Sequence, residues 1–527
     1  MFIMTYCPFG YEGIVIRVEA DIRRGIPGID ISGLAAGAVR EARERVRAAF
    51  RNSGFMFPND RILINLAPAG VRKEGAALDL AIALAVMAAA GEIPAVQDTM
   101  VLGELELSGR VRPVRGTLAA TVAGREAGIR DFIVPSANAA EAEILDGCNV
   151  AGADTLEDAV NTIRCLRETG RLPRQTRPME QACLPVLPAL PAPSFSDVRG
   201  QRRYKRALEI AAAGAHNLLV FGPPGSGKTM LARRLPSIMP QLTQDEAITV
   251  TRIHSLAGIA VRGLAKQPPF RSPHHSASAE GILGGGHSVR PGEISLAHYG
   301  TLFLDEAPEF KVNVLQSLRE PLEDRRITIS RAENSVRLPA DFQLIMAANP
   351  CPCGRLGMRT AERGRDDDYG GARGQAGCYC SGDEVLRYWR RFGGALLDRM
   401  ELRVAVNAPA ASELCHPSGE TDEAVAARVG RAAEIQRERF RGADFRRNSG
   451  MGSAAIDRFC KLDGDAFAAF NRAVEKLGVS GRAYHGILRV ARTIADLDAA
   501  DGISREHVLE AIQYRRQGDD PYDVFSA

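Results

Sequence analysis

Residues Leu218 to Thr229 read LLVFGPPGSGKT, with Gly222, Gly225, Gly227, Lys228 and Thr229 in the spacing G-x-x-x-x-G-K-T. Glycines let a backbone curl until its N–H groups converge on phosphate oxygens, and a helix start behind them adds partial positive charge. The expected cradle runs through Gly222, Pro223, Pro224, Gly225, Ser226, Gly227, Lys228, Thr229 and Met230. Lys228 would reach the β- and γ-phosphates of a nucleotide, and the Thr229 hydroxyl would ligate Mg²⁺. A glycine- and proline-rich surface turn can match such a pattern by chance. Here an apolar run, Leu218 to Phe221, precedes it and a helix-like run, Met230 to Leu235, follows, which is the context a P-loop needs.

Two further strings fit the same chemistry. Gly300 to Glu306 reads GTLFLDE, an apolar strand ending in two carboxylates. Asp305 at such a tip would hold the Mg²⁺ shell, and Glu306 would orient or deprotonate an attacking water. A third apolar stretch, Phe342 to Ala347, leads to Asn349, which can polarise that water or simply form a turn before Pro350.

Cys351, Cys353, Cys378 and Cys380 form two C-x-C pairs around a segment rich in glycine and charge. Four thiolates clamping Zn²⁺ would order such a segment; free thiols and a redox disulfide stand beside that reading. Positive charge collects in two places. Arg271, His274 and His275 lie in the glycine-rich stretch 270–286, and Arg325, Arg326, Arg331 and Arg337 flank a hairpin-like alternation over 326–338. Phosphates need such charge without a base-specific pattern, although a solvated hairpin face looks the same. Neighbouring histidines seldom converge on one metal, so His274 and His275 are not read as a metal pair.

These groups need elements to position them. At 527 residues the chain is too long for one core. Charged residues at 25%, hydrophobic ones at 45% and a net charge of +3 are ordinary for a soluble globular protein, and exclude a global field that would advertise nucleic acid. The longest apolar run, Ala76 to Ala90, is broken by Asp79 and too short to span a membrane. The start, MFIMTYCPFGYEG, lacks a basic n-region, so no secretory signal is expected. Cys7, Cys148, Cys165, Cys183, Cys415 and Cys460 are scattered and read as ordinary thiols in a reducing cytoplasm.

Residues 1–165 read as an α+β domain, 166–196 as a proline-rich linker, 197–407 as a P-loop α/β domain and 408–527 as a helical region. In the first, strands are expected at 13–20, 62–66 and 132–134, helices at 78–90 and 117–127, and a hairpin over 101–114. In the last, helices are expected at 421–441, 454–460, 464–477, 482–497 and 504–515.

The P-loop, GTLFLDE, SPHHSAS (272–278), RPGEISLAHYGTLFLDE (290–306), LREPLED (318–324) and ARTIADLD (491–498) together closely resemble the magnesium-chelatase-like AAA+ family known as YifB or ComM. The resemblance covers nearly the whole chain. It implies an ATPase ring, usually a hexamer, with ATP at subunit boundaries, and a helicase-like motor that moves DNA junctions during natural transformation. It also implies that Arg399, in LLDRMEL, is a finger reaching a neighbour's γ-phosphate. Arg482 fits the sensor 2 position acting in cis, with Arg489 two helical turns on as the competing residue. The helical region would be the lid over the adenine. In the chelatase and helicase relatives the 270–286 insertion points into the pore.

Residues 71–85 and 111–135 resemble the C-terminal domain of Lon-type proteases, a ribosomal protein S5 domain 2-like fold. That family's serine falls at Ala77 and its lysine at Leu118, so no nucleophile or base is present and a non-proteolytic relative is implied. A protein-remodelling ATPase and a chelatase-type motor indifferent to DNA are the rival functions.

Overall fold

The computed structural model describes residues 2–34, 37–70, 73, 75–173, 194–259, 263–286, 289–330, 335–356, 378–407 and 420–516. Arg331, Cys183, Cys415 and most of the proline-rich stretch lie outside the described residues.

The first unit is a seven-stranded mixed sheet, in spatial order Gly28–Ser32, Arg61–Ala67, Ile14–Arg23, Phe2–Cys7, Thr99–Val101, Asp131–Pro135 and Asn149–Ala153. The alternation of IVIRVEADIR sets its faces, turning Ile16, Val18 and Ala20 inward. The apolar run becomes the helix Asp79–Ala89, buried from Asp79 to Ala88, which is why it is apolar all round. Asp79 survives there because Arg45 grips both its oxygens at 2.7 and 3.0 Å. The expected 101–114 hairpin is smaller than the alternation suggests. Thr99–Val101 joins the large sheet, and only Glu104–Leu105 pairs with Val111–Arg112. The unit closes with helix Leu156–Thr169, fixed by a Thr155–Asp158 capping box, so residues 166–169 are helical where a linker is expected.

The second unit is a five-stranded, all-parallel sheet ordered Phe270–Arg271, Thr301–Leu304, Gln343–Ala348, Leu218–Phe221 and Leu402–Ala405. The inner strands LLVF, TLFL and QLIMAA are buried at every position, as a sheet covered on both faces requires. Phe221 lies opposite Ala348, and Leu304 opposite Met346, so the residues following all three strands emerge at one edge. That carboxyl edge is where open α/β sheets bind ligands.

The helical region comprises Asp422–Arg439, Ser453–Phe459, Gly464–Leu477, Gly481–Leu497 and Arg505–Arg516, with side-chain N-caps from Thr421, Asp463 and Ser480. Val429, Phe470 and Ile494 share one apolar core with Ile210 of helix Arg202–Gly214 and with Leu218 and Leu402 of the sheet. Polar ties add to it: Gln436 donates to the Ala213 carbonyl, and Arg428 pairs with Glu209 at 2.7 Å.

A helix that the sequence reading passed over, Gln244–Ala257, touches all three units. Arg252 donates to the Glu12 carbonyl at 2.9 Å and lies over the Tyr11 ring. Ser255 donates to Glu141, and Leu256 is buried among Tyr6, Met100 and Phe132. His254 sits 3.2 Å from the Leu296 carbonyl, and Glu246 pairs with Arg446. Among the described residues no helix is long and apolar enough to cross a membrane.

Candidate active site

Gly225 and Gly227 hold φ of 78° and 85°, left-handed values that only glycine adopts without strain, and the helix Lys228–Ala232 starts directly after them. The Lys228 ammonium donates to the Gly222 and Pro223 carbonyls at 2.7 and 2.9 Å, and to Asn349 Oδ1 at 3.3 Å. Burial pushes its pKa down to about 8, while Asp305 and Glu306 pull the other way. The Thr229 hydroxyl donates to Asp305 Oδ2 at 2.8 Å. A hydroxyl and a carboxylate in contact, beside a lysine on a glycine turn, match the hard oxygen donors that Mg²⁺ on a nucleotide takes. When bound, the ion would neutralise charge between the phosphates.

Glu306 follows with φ 49° and ψ 45°, a conformation costly for a residue with a Cβ. Its N–H donates to Asp305 Oδ1 at 3.0 Å, and its half-exposed carboxylate stands free of the sheet. Lys228, Thr229, Asp305, Glu306 and Asn349 therefore converge at the sheet's carboxyl edge.

Two supports, Tyr204 and Gln201, escaped the sequence reading, and His275, read there as part of a basic cluster, lies beside Glu306. Tyr204, wholly buried, donates to the Lys228 carbonyl at 3.1 Å, and Gln201 donates to the carbonyls of Ser226 and Asn407 at 3.1 and 2.7 Å. His275 Nδ1 lies 3.8 Å from Glu306 Oε2. The signal for His275 was topological. The strand 270–271 pairs with 301–304, so the residue groups that follow the two strands emerge side by side.

The two family arginines lie elsewhere. Leu402 donates to the Asn217 carbonyl, which puts the 394–399 segment at the amino edge, a four-residue strand of about 13 Å from the P-loop. There Arg399 pairs with Glu323 at 2.7 Å, and Arg482 pairs with the same Glu323 oxygen. Within this chain Arg482 thus stands beside Arg399 on Glu323, at the opposite edge of the sheet from Lys228. The cause is packing: the helix Gly481–Leu497 is fixed on 202–214 with its first turn over the amino edge. Arg489 is tied to the Met451 carbonyl at 2.9 Å and to buried Glu401 at 3.2 Å. Glu323, Arg325, Arg399, Arg482, His485 and Arg489 line a cavity of about 540 Å³.

The cysteines converge. Cys351 Sγ lies 3.4 Å from Cys353 and 3.6 Å from Cys378, Cys353 lies 3.6 Å from Cys378, and all four sulfurs fall within 4.8 Å of one another.

The basic residues divide. Arg271 is clamped by Glu293 through two bonds of 2.7 and 2.8 Å, its side chain partly exposed. His274 is 2.8 Å from the Ser276 hydroxyl, its ring 4.1 Å from that of His275. The hairpin forms as Arg326–Ser330 against Ser335–Pro339, with Ile327, Val336 and Leu338 turned inward and Arg326 and Arg337 exposed. Arg325 turns back toward Asp341 and the Asp444 carbonyl instead of joining that face.

Residues 194–414 match the family described as "Magnesium chelatase, subunit ChlI", residues 18–138 match "Subunit ChlI of Mg-chelatase", and residues 419–515 match "Magnesium chelatase, subunit ChlI C-terminal". The chain is 40% identical over 512 residues to competence protein ComM of Haemophilus influenzae, covering 96% of this chain and 95% of that protein. It is 39% identical over 516 residues to protein YifB of Escherichia coli, covering 97% and 96%. A partial likeness, 31% over 183 residues, links it to Lon protease 2 of Bacillus subtilis, covering 30% of this chain and 33% of that one. Near-complete coverage at this identity, over a cradle whose lysine, threonine and carboxylates meet as a nucleotide site demands, makes the chain a member of the YifB/ComM family of magnesium-chelatase-like AAA+ proteins.

Proposed function

We propose that this protein is an ATP-hydrolysing ring motor that remodels DNA, moving branched junctions during recombination of the kind natural transformation needs. The observation that carries the reading is the split site. Lys228, Thr229, Asp305, Glu306 and Asn349 meet at one edge of the sheet, while Arg399 and Arg482 share Glu323 at the other. A phosphate held at one edge can meet those arginines only from a second copy, so the chemistry is completed between neighbours of a ring, with six as the family's usual number.

In this reading Thr229 and Asp305 hold Mg²⁺, Lys228 binds phosphate, and Glu306 takes the proton of the attacking water with Asn349 aligning it. The two arginines stabilise charge spreading on the γ-phosphate. Residues 1–169 are a Lon-like, non-proteolytic unit. Leu118 is buried and Ala77 offers no hydroxyl, so the protease dyad has no counterpart there. A Zn²⁺ on Cys351, Cys353, Cys378 and Cys380 completes the cofactor set. DNA phosphates would meet the exposed hairpin face of Arg326 and Arg337. The relative named for competence supports this work, and the chelatase-named family supports a motor acting on a protein partner as the rival.

The test is steady-state ATP hydrolysis by the purified chain without DNA, with single strands, with duplex and with a four-way junction, using Lys228→Ala as the blank. Severalfold stimulation, greatest on the junction, is the expected result. A rate indifferent to every DNA would remove the DNA reading and leave a motor for a protein client.

A further inference from the structure

The four-cysteine cluster is joined to the nucleotide site on both of its sides. On one side, Cys351 follows Asn349 and Pro350 directly, and the Asn349 amide oxygen accepts from Lys228 at 3.3 Å. The turn Cys351–Gly354 closes with a bond of 2.9 Å from Gly354 to the Cys351 carbonyl. Gly354, at φ +76°, is pressed so closely on the P-loop that a Cβ there would lie 2.9 Å from Pro224 Cδ and Cγ. On the other side, Cys380 leads into Ser381, which caps the helix Gly382–Arg390 in a capping box with Glu384. That helix carries Trp389, which donates to the Pro350 carbonyl at 3.0 Å and packs edge-on against Phe221, the residue just before Gly222.

The sulfurs have the spacing of a tetrahedral site. With Zn–S near 2.3 Å, a tetrahedron spaces its sulfurs about 3.8 Å apart, and the closer pairs here lie at 3.4 to 3.6 Å. Cys351 is buried and the other three are half-buried, and besides one another the sulfurs meet backbone N–H groups, with Leu356 donating to Cys351 Sγ at 3.4 Å. A divalent ion would neutralise the four as thiolates and bind the turn to the helix.

We propose that these cysteines bind one Zn²⁺ that clamps the Asn349 turn to the Trp389 helix, and that occupancy of this clamp sets the rate of ATP hydrolysis. The inference rests on the ATPase reading for its second half and on the cysteine geometry alone for its first. With the ion bound, Asn349 and Pro224 are held from behind, and the water-aligning amide keeps its place over Lys228. Without it, the 351–354 turn loses its metal–thiolate tie to the helix, and Asn349 and Pro224 lose that support.

The protein carries its own reporter, because Trp389 is the one tryptophan in the chain. The experiment uses the full-length protein purified without chelator and measures three quantities: zinc per chain, Trp389 emission, and DNA-independent ATP turnover. The expected result is one zinc per chain. Removal by a strong chelator, or the paired change Cys378→Ser with Cys380→Ser, should shift Trp389 emission to longer wavelength. It should also lower kcat about tenfold or more while KM for ATP changes far less, the scale that small misplacements of catalytic groups reach. Restoring Zn²⁺ to the chelated protein should reverse both. Co²⁺ in its place should give the visible absorption of a tetrahedral tetrathiolate, which settles ligation even where the serine variant fails to fold.

Protein without zinc and without the cobalt spectrum would overturn the site, as would a disulfide among the four in protein isolated anaerobically. Zinc that leaves without moving the emission or kcat would overturn the clamp. Metal content and emission are read without turnover. A metal-loaded protein that hydrolyses no ATP would therefore strike the ATPase reading, with the site and the Trp389 response still decided.

Discussion

Lys228 holds a charge that burial opposes and that Asp305 and Glu306 favour. Burial lowers its pKa to about 8, and the two carbonyls and the Asn349 oxygen that surround it are dipoles without full charge. The protonated form is the one that binds phosphate, and a bound polyphosphate would raise the pKa again. ATP affinity should therefore hold below pH 7 and fall about tenfold by pH 9, with proton uptake on binding in that upper range. Calorimetry in two buffers of different ionisation enthalpy reads both; an affinity flat from pH 7 to 9 would remove the role assigned to burial. Glu306→Gln should keep ATP binding and lower hydrolysis by about 10²–10⁴, the worth of a lost general base. Phosphate release against nucleotide binding separates the two. These residues were legible because phosphate chemistry fixes their spacing along the chain. Tyr204, Gln201 and Glu323 were not, since each acts through contacts made across the fold.

Among elements, the turn at Gly354 is the tightest link between strand and loop. Gly354→Ala sets a left-handed alanine against Pro224, at about 1–2 kcal/mol. The expected outcome is a melting temperature a few degrees lower and a raised KM for ATP, measured by thermal unfolding and by initial rates. An unchanged KM would mean that the P-loop yields freely there. The short apolar strands and the C-terminal helices fall within a few residues of where the sequence put them, because continuous burial and strong caps write themselves into composition. The edge strand Phe270–Arg271 was hidden by its two-residue length and by Pro268 and Pro269 before it. The helix Gln244–Ala257 did carry a signature, the Thr243–Glu246 capping box, which its weak amphipathic pattern obscured. The placement of Arg482 was unreadable for another reason: sequence gives a position on a helix but not the neighbour on which the helix turns.

At the scale of the molecule, the proposed ring would take the cradle from one copy and the arginines from the next. Lys228→Ala and Arg399→Ala should each abolish turnover alone. Mixed in equal amounts, they should recover a measurable part of it, because some boundaries then pair an intact cradle with an intact arginine. Such an arginine is worth about 10³–10⁵ in rate in related phosphoryl transfers. Mixtures as inactive as either parent would place Arg399 in its own chain's chemistry or in none. The helix 244–257 adds a different constraint. Its Arg252, Ser255 and Leu256 are completed by Glu12, Glu141 and the Tyr6 cluster, while its first turn is completed by Arg446 from the far end of the chain. A gene fragment beginning at the proline-rich stretch would bare an apolar face and leave Arg252 and Ser255 without their carbonyl and carboxylate. The P-loop half is thus no free cassette to be traded between genes, and a change at Glu141 should be answered by one at Ser255.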